Sequence, residues 1–160
     1  MSSRRLFVVV AALAFLVGSR VLAQEDAHIG VWKQNFDKTK LVPAPTGPRP
    51  QSVTRTYEKF GDGLKATFVT IAADGKRTTV SYSAHFDGKD YPYTGSAGID
   101  TIALKKIDNY SFSNVNKKAG KVINTGTNVV SKDGKTMTFT SKGTNAQGQP
   151  TSAVVVFEKQ

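Results

Sequence analysis

The chain has no cysteine. That excludes disulfides, a thiol nucleophile, a lipid-modified amino-terminal cysteine and any cysteine-ligated zinc, so burial alone must hold the fold together. Histidine occurs twice, as His28 and His85, and tryptophan once, as Trp32. Beyond residue 22 no apolar run approaches the roughly 20 residues that a membrane-spanning helix needs. No segment past that point has the 3.6-residue apolar spacing of an amphipathic helix either. Acids are scarce as well, with 12 Asp and Glu against 22 Lys and Arg, a formal charge of +10 over 160 residues.

Residues 1–23 have the layout of a secretory signal: a basic start at Arg4-Arg5, an apolar run from Leu6 to Val17, and the small-residue pattern Val21-Leu22-Ala23. Cleavage after Ala23 is expected, giving a periplasmic or extracellular product that begins at Gln24. The apolar run is too short for a membrane anchor. Ser3-Arg4-Arg5-Leu6-Phe7 also resembles the start of a twin-arginine export motif, without its later Lys, so both export routes stay open. Losing these residues removes three arginines and no acid, which leaves a charge of +7 on one domain spanning 24–160.

What that domain does contain is β-strand patterning. Lys121 to Ser131 is rich in β-branched residues, Lys132-Asp133-Gly134 supplies a turn, and Lys135 to Lys142 alternates strictly. A two-residue type I′ turn is expected at Asp133-Gly134. The same grammar runs through Gln51 to Phe60, Leu64 to Ala72, Lys76 to Phe86, Asp100 to Ile107, Tyr110 to Lys118 and Thr151 to Lys159, after an opening strand from His28 to Phe36. Pro43 to Pro50 carries four of the six prolines and reads as an extended surface connection, and Tyr91 to Gly95 as an irregular edge because Pro92 has no N–H to donate. Strands joined by short hairpins curl, and closure removes both edges. The fold class is therefore all-β: an antiparallel up-and-down meander closed into a barrel of about 8–10 strands, with a two-sheet β-sandwich as the alternative.

Gly30-Val31-Trp32-Lys33 on the first strand, with repeated Asp-Gly-Lys turns at Asp87 and Asp133 and a final Phe157-Glu158-Lys159, resembles the calycin barrels, that is, lipocalins and fatty-acid-binding proteins. It resembles more closely a group of small exported bacterial proteins with a G-x-W-K opening. The resemblance implies an up-and-down barrel with Trp32 plugging its closed end and an interior able to take an apolar ligand. Departures accompany it. The Arg-x-Tyr of the final strand of fatty-acid-binding proteins is matched here by Val155 and Phe157, the proline-rich connection replaces their helix pair, and the lipocalin T-D-Y loop has no counterpart.

Catalytic and metal chemistry finds little to build on. His85 sits on a polar strand face. Gly95-Ser96-Ala97-Gly98 misses the nucleophile elbow because Thr94 stands where its first glycine belongs. Asp87, Asp90 and Asp100 surround one loop without EF-hand spacing, and two of them read as turn formers. No enzyme, cofactor or metal is expected. Lys105, Lys106, Lys117, Lys118 and Lys121 lie on neighbouring hairpins and form either a solvated edge that blocks strand pairing or one positive patch for an anionic envelope or matrix surface. Nucleic acid is not an expected partner of an exported protein.

The inward face of the Lys76–Phe86 strand is expected to present Val80, Tyr82 and Phe86, joined by Tyr110, Phe112, Met137 and Phe139. Two readings of this interior stay open: a filled core, with the protein serving as a structural or interaction module, or a cavity for a small apolar ligand lined by these seven residues. The ligand reading leads. No arginine falls on this face, so a neutral ligand is expected to bind better than a carboxylate.

Overall fold

In a computed structural model, residues 26–145 and 147–160 are described, and the expected signal segment lies outside them. Ten strands run β1 Gly30–Val42, β2 Ser52–Phe60, β3 Gly63–Ile71, β4 Arg77–His85, β5 Tyr91–Thr94, β6 Thr101–Asp108, β7 Ser111–Lys118, β8 Lys121–Val130, β9 Thr136–Thr144 and β10 Pro150–Lys159. Each pairs antiparallel with its sequence neighbour, and β1 also pairs with β10, so the meander closes into a barrel. No helix among the described residues is long and apolar enough to cross a membrane.

The turns explain the repeated Asp-Gly-Lys signature in a way different from the expected one. At Ser131 to Gly134 the N–H of Gly134 donates to Ser131 O, and Gly134 alone has positive φ, at 70°. That is a type I turn closed by a left-handed glycine, not type I′. Asp133 Oδ1 then accepts the N–H of Lys135 at 3.0 Å. Asp74 does the same for Lys76 at 2.9 Å and Asp87 for Lys89 at 3.0 Å. The aspartate is thus a side-chain acceptor for the backbone two residues on, which the Gly between makes possible. A two-residue turn with both φ positive does occur, at Ala119-Gly120.

The wall has one loose seam. β1 and β2 pair only from Gly30 to Lys33 against Tyr57 to Thr54, after which β1 bulges between Asn35 and Lys40 and follows β10 as far as Val42. Residues 43–50 bridge that parting. β5 is a second irregularity, though not an edge: Pro92 and its neighbours hold two residue pairs with β4 and two with β6.

One end of the barrel is solid. Trp32, Tyr57, Leu64, Leu104, Phe112, Met137 and Phe157 are each essentially fully buried there. Trp32 plugs this end as the resemblance implied, donating its indole N–H to His28 O at 2.7 Å. Beneath it His28 Nδ1 meets Asp26 at 2.8 Å, and Lys106 reaches the other Asp26 oxygen at 2.9 Å. Burial raises the Asp26 carboxyl, but the His28 ring, the His28 N–H and Lys106 outweigh it and hold the pKa at about 2.

Candidate functional site

Above this floor lies a cation. Alternation along β2 turns Val53, Arg55 and Tyr57 to the same side, and Tyr57 is fully buried in the core, so Arg55 points into the lumen. Its guanidinium carbon is 4.3 Å from the Phe157 ring centre, 4.7 Å from Phe68 and 4.8 Å from Phe139. These rings come from β10, β3 and β9, and Arg55 also donates to Asn128 Oδ1 on β8 at 3.4 Å, four strands round the wall. The head group therefore occupies the middle of the barrel.

No ion pair among the described residues includes Arg55. Nor do its neighbours supply an anion. Burial pushes the Tyr57 and Tyr82 hydroxyls above the ordinary tyrosine value despite Arg55, and carries Tyr93 to about 12. All three stay neutral at any physiological pH. The guanidinium thus brings a positive charge and five N–H donors to three aromatic faces, with Tyr57 and Asn128 as its hydrogen-bond partners.

Two residues further along β2, Val53 enters a cavity of about 750 Å3 at the open end. Gln34, Phe36 and Leu41 of β1 line one side, and Ala44, Pro45, Pro48, Arg49 and Pro50 cover the other. The proline-rich connection is exposed, as a surface connection should be, and it also roofs the gap where β1 leaves β2. Arg49 lies 5.1 Å from the Phe36 ring centre and bonds Asp37 at 3.2 Å, which ties the roof to β1. A cleft of this size suits a drug-sized molecule.

Apart from this cavity, the inward faces of β7 and β8 are polar. Asn114, Asn116 and Asn128 are buried on β7 and β8, and Asn116 Nδ2 donates to Asn124 Oδ1 at 2.8 Å.

The seven expected lining residues divide. Phe112 and Met137 belong to the solid floor, and Tyr82 is buried between Phe68 and Tyr93, with ring centres 5.9 and 5.7 Å away. Phe139 packs on Arg55, Val80 is the cross-strand partner of Phe68, and Phe86 sits at the floor 5.7 Å from Phe112. Tyr110 precedes β7 in a turn, half-buried, with Lys132 Nζ 3.8 Å from its ring centre.

The arginine-free interior is corrected, by Arg55. Its signal was present in Val53-x-Arg55-x-Tyr57, where two apolar neighbours of the same parity place the arginine inside. On β7 Phe112 sets the parity and puts Asn114 and Asn116 inside.

The five lysines do not make one free patch. Lys106, Lys117 and Lys118 are paired with Asp26, Asp90 and Asp100 at 2.9, 2.7 and 2.6 Å. Lys105 lies opposite Ser113, while Lys117 pairs with Thr101 four residues further along β7, and Lys118 and Lys121 face each other across the far turn. The aspartates are equally dispersed, Asp87 taking Tyr91 OH at 2.9 Å. Among the described residues no three His, Cys, Asp or Glu side chains gather as a metal site. His85 pairs with Asp62 at the floor end of β4, while Ser96 follows β5 in the opposite loops and accepts Gly98 N–H at 3.2 Å.

No family model and no curated protein matches this sequence. Among solved structures the chain is similar to zebrafish ileal bile acid-binding protein complexed with cholic acid, at a TM-score of 0.49 and 14% identity, over 84% of this chain and 98% of that one. The closed ten-strand barrel stands on its own hydrogen-bond ladders.

Proposed function

We propose that this chain is an exported, non-enzymatic carrier that holds a small amphipathic organic anion in its barrel, with the acid on Arg55 and the apolar body in the cleft beneath the proline-rich roof. The observation that carries this is Arg55 itself. A half-buried guanidinium without a carboxylate, ringed by Phe68, Phe139 and Phe157, is well suited to an incoming anion. The adjoining cavity gives the attached chain somewhere to lie.

This replaces the expectation of a neutral ligand. The test is displacement of an environment-sensitive apolar dye from the purified protein at pH 8 by a long-chain carboxylate and by the alcohol of equal length. The carboxylate should compete at least about tenfold better, the worth of one charge-assisted hydrogen bond. Arg55→Met should reverse that order. A protein that binds no dye, or that treats acid and alcohol alike, would not be such a carrier.

A further inference from the structure

Asn114 and Asn116 face the lumen two and four residues beyond Phe112, and are 4% and 7% exposed. The Oδ1 atoms of both meet no hydrogen-bond donor. Folded chains almost always satisfy buried polar groups, so two such oxygens at alternate positions of one strand call for donors from elsewhere. We propose that the ligand supplies them: the bound anion carries O–H or N–H groups along one edge, and β7 reads that edge.

This rests on the anion reading above and narrows its ligand class. Register fixes the spacing. Asn128, which takes the Arg55 N–H, lies opposite Phe112; Asn114 lies opposite Gly126 and Asn116 opposite Asn124. The two oxygens therefore stand one and two inward steps above the level of the anion site, about 7 and 14 Å along the wall at the usual strand rise.

Gly126 keeps the lower position open. A Cβ there would come within 2.9 Å of Asn114 Oδ1 and 2.4 Å of Phe139 Cε2, so acceptor and aromatic edge converge over bare backbone. Across the barrel the wall is Phe68, Tyr82 and Tyr93, stacked or edge-on to one another. A ligand matching all this has an acidic end, one apolar face and one face bearing hydroxyl or amine groups. A plain alkyl acid would leave both amide oxygens unpaired.

The probes are octadecanoate and 12-hydroxyoctadecanoate, whose hydroxyl lies a dozen carbons from the head. In dye displacement from wild-type protein the hydroxy acid should compete about 3- to 10-fold better, the worth of one neutral hydrogen bond. Asn116→Leu should erase that preference while octadecanoate still binds. Should that variant fail to fold, the wild-type side-chain amide signal of Asn116 in a 15N–1H spectrum decides, since it should move with the hydroxy acid and stay put with octadecanoate. Equal displacement by the two acids, with unmoved amide signals, overturns the inference and leaves the anion site standing. Failure of both acids to displace dye overturns the two readings together.

Discussion

Trp32 and Arg55 are direct cross-strand partners on β1 and β2, so the plug of the closed end and the cation of the lumen share one rung of the ladder. Below that rung everything is packed. Above it β1 and β2 part, and the cavity begins with Gln34 and Val53, the next inward residues on each strand. One end of the barrel is thus a filled core, and the cavity at the other end is lined by residues of β1, β2 and the proline-rich connection rather than by the seven expected ones.

Trp32→Ala should cost about 3–5 kcal/mol, the range for deleting a large buried aromatic. Its ring is fully buried, its N–H is bonded to His28 O, and Lys159 Nζ covers it 5.2 Å from the centre. Urea unfolding of wild type and variant measures this, and native emission should be blue-shifted and poorly quenched by iodide. A loss below about 1 kcal/mol would mean that the indole is not the plug.

Stability should fall in acid through Asp26. Its carboxyl has a folded pKa of about 2 against an ordinary 3.8. A depressed carboxylate contributes fully above the unfolded value, and the contribution is lost as pH drops through the folded value. The window is therefore roughly pH 4 to 2, and the contribution is on the order of 2 kcal/mol. Urea midpoints at pH 5, 3 and 2 should decline for wild type more than for Asp26→Asn, which should start lower and lose less. Parallel declines would assign the acid sensitivity elsewhere.

Gly126→Ala should destabilise by about 1–3 kcal/mol, as overpacking does, because the new methyl group meets the Phe139 ring edge at 2.4 Å. The ring has to swing toward the lumen, so ligand affinity should fall along with stability. Thermal melts and dye titration on the same sample separate the two effects. An unchanged melting temperature would show that Phe139 does not lie over Gly126.

Legibility in the sequence followed periodicity. Strict alternation in Lys135 to Lys142, together with Gly turns at even spacing, placed Met137 inside and closed the meander correctly, because strand parity is a local property. β10 supplied Val155 and Phe157 by the same rule. The site was less legible because its important residues break the rule that inside means apolar: Arg55 on β2, and Asn114 and Asn116 on β7. Parity was available for each from Tyr57 and Phe112. What no local pattern could supply was the parting of β1 from β2, which depends on a bulge at Asn35 to Lys40 and converts residues 43–50 from a connection into a roof. The lysine patch failed for a related reason: its neutralising partners Asp26, Asp90 and Asp100 are 80, 27 and 18 residues away from the lysines they hold.

Arg55→Met should leave the empty protein at least as stable as wild type, and is expected to raise its melting temperature, while removing anion binding. The Arg55 side chain is half-buried, its guanidinium lies among Phe68, Phe139 and Phe157 with no carboxylate beside it, and replacing that partly desolvated charge with an apolar chain of similar length removes its desolvation cost. What the variant loses is three cation–π contacts, the hydrogen bond to the Tyr57 hydroxyl and one long bond to Asn128 at 3.4 Å, which offset only part of it. A residue that weakens the fold yet improves an empty cavity's hold on an acid is the pattern of a binding site, in which stability is given up for function. Calorimetric melts of both proteins without ligand, and then with a saturating long-chain carboxylate, read the two halves of the claim. The carboxylate should raise the wild-type melting temperature and leave that of Arg55→Met unmoved. A variant that melts well below wild type in the empty state would instead make Arg55 a structural strut, its charge satisfied by the aromatic rings alone.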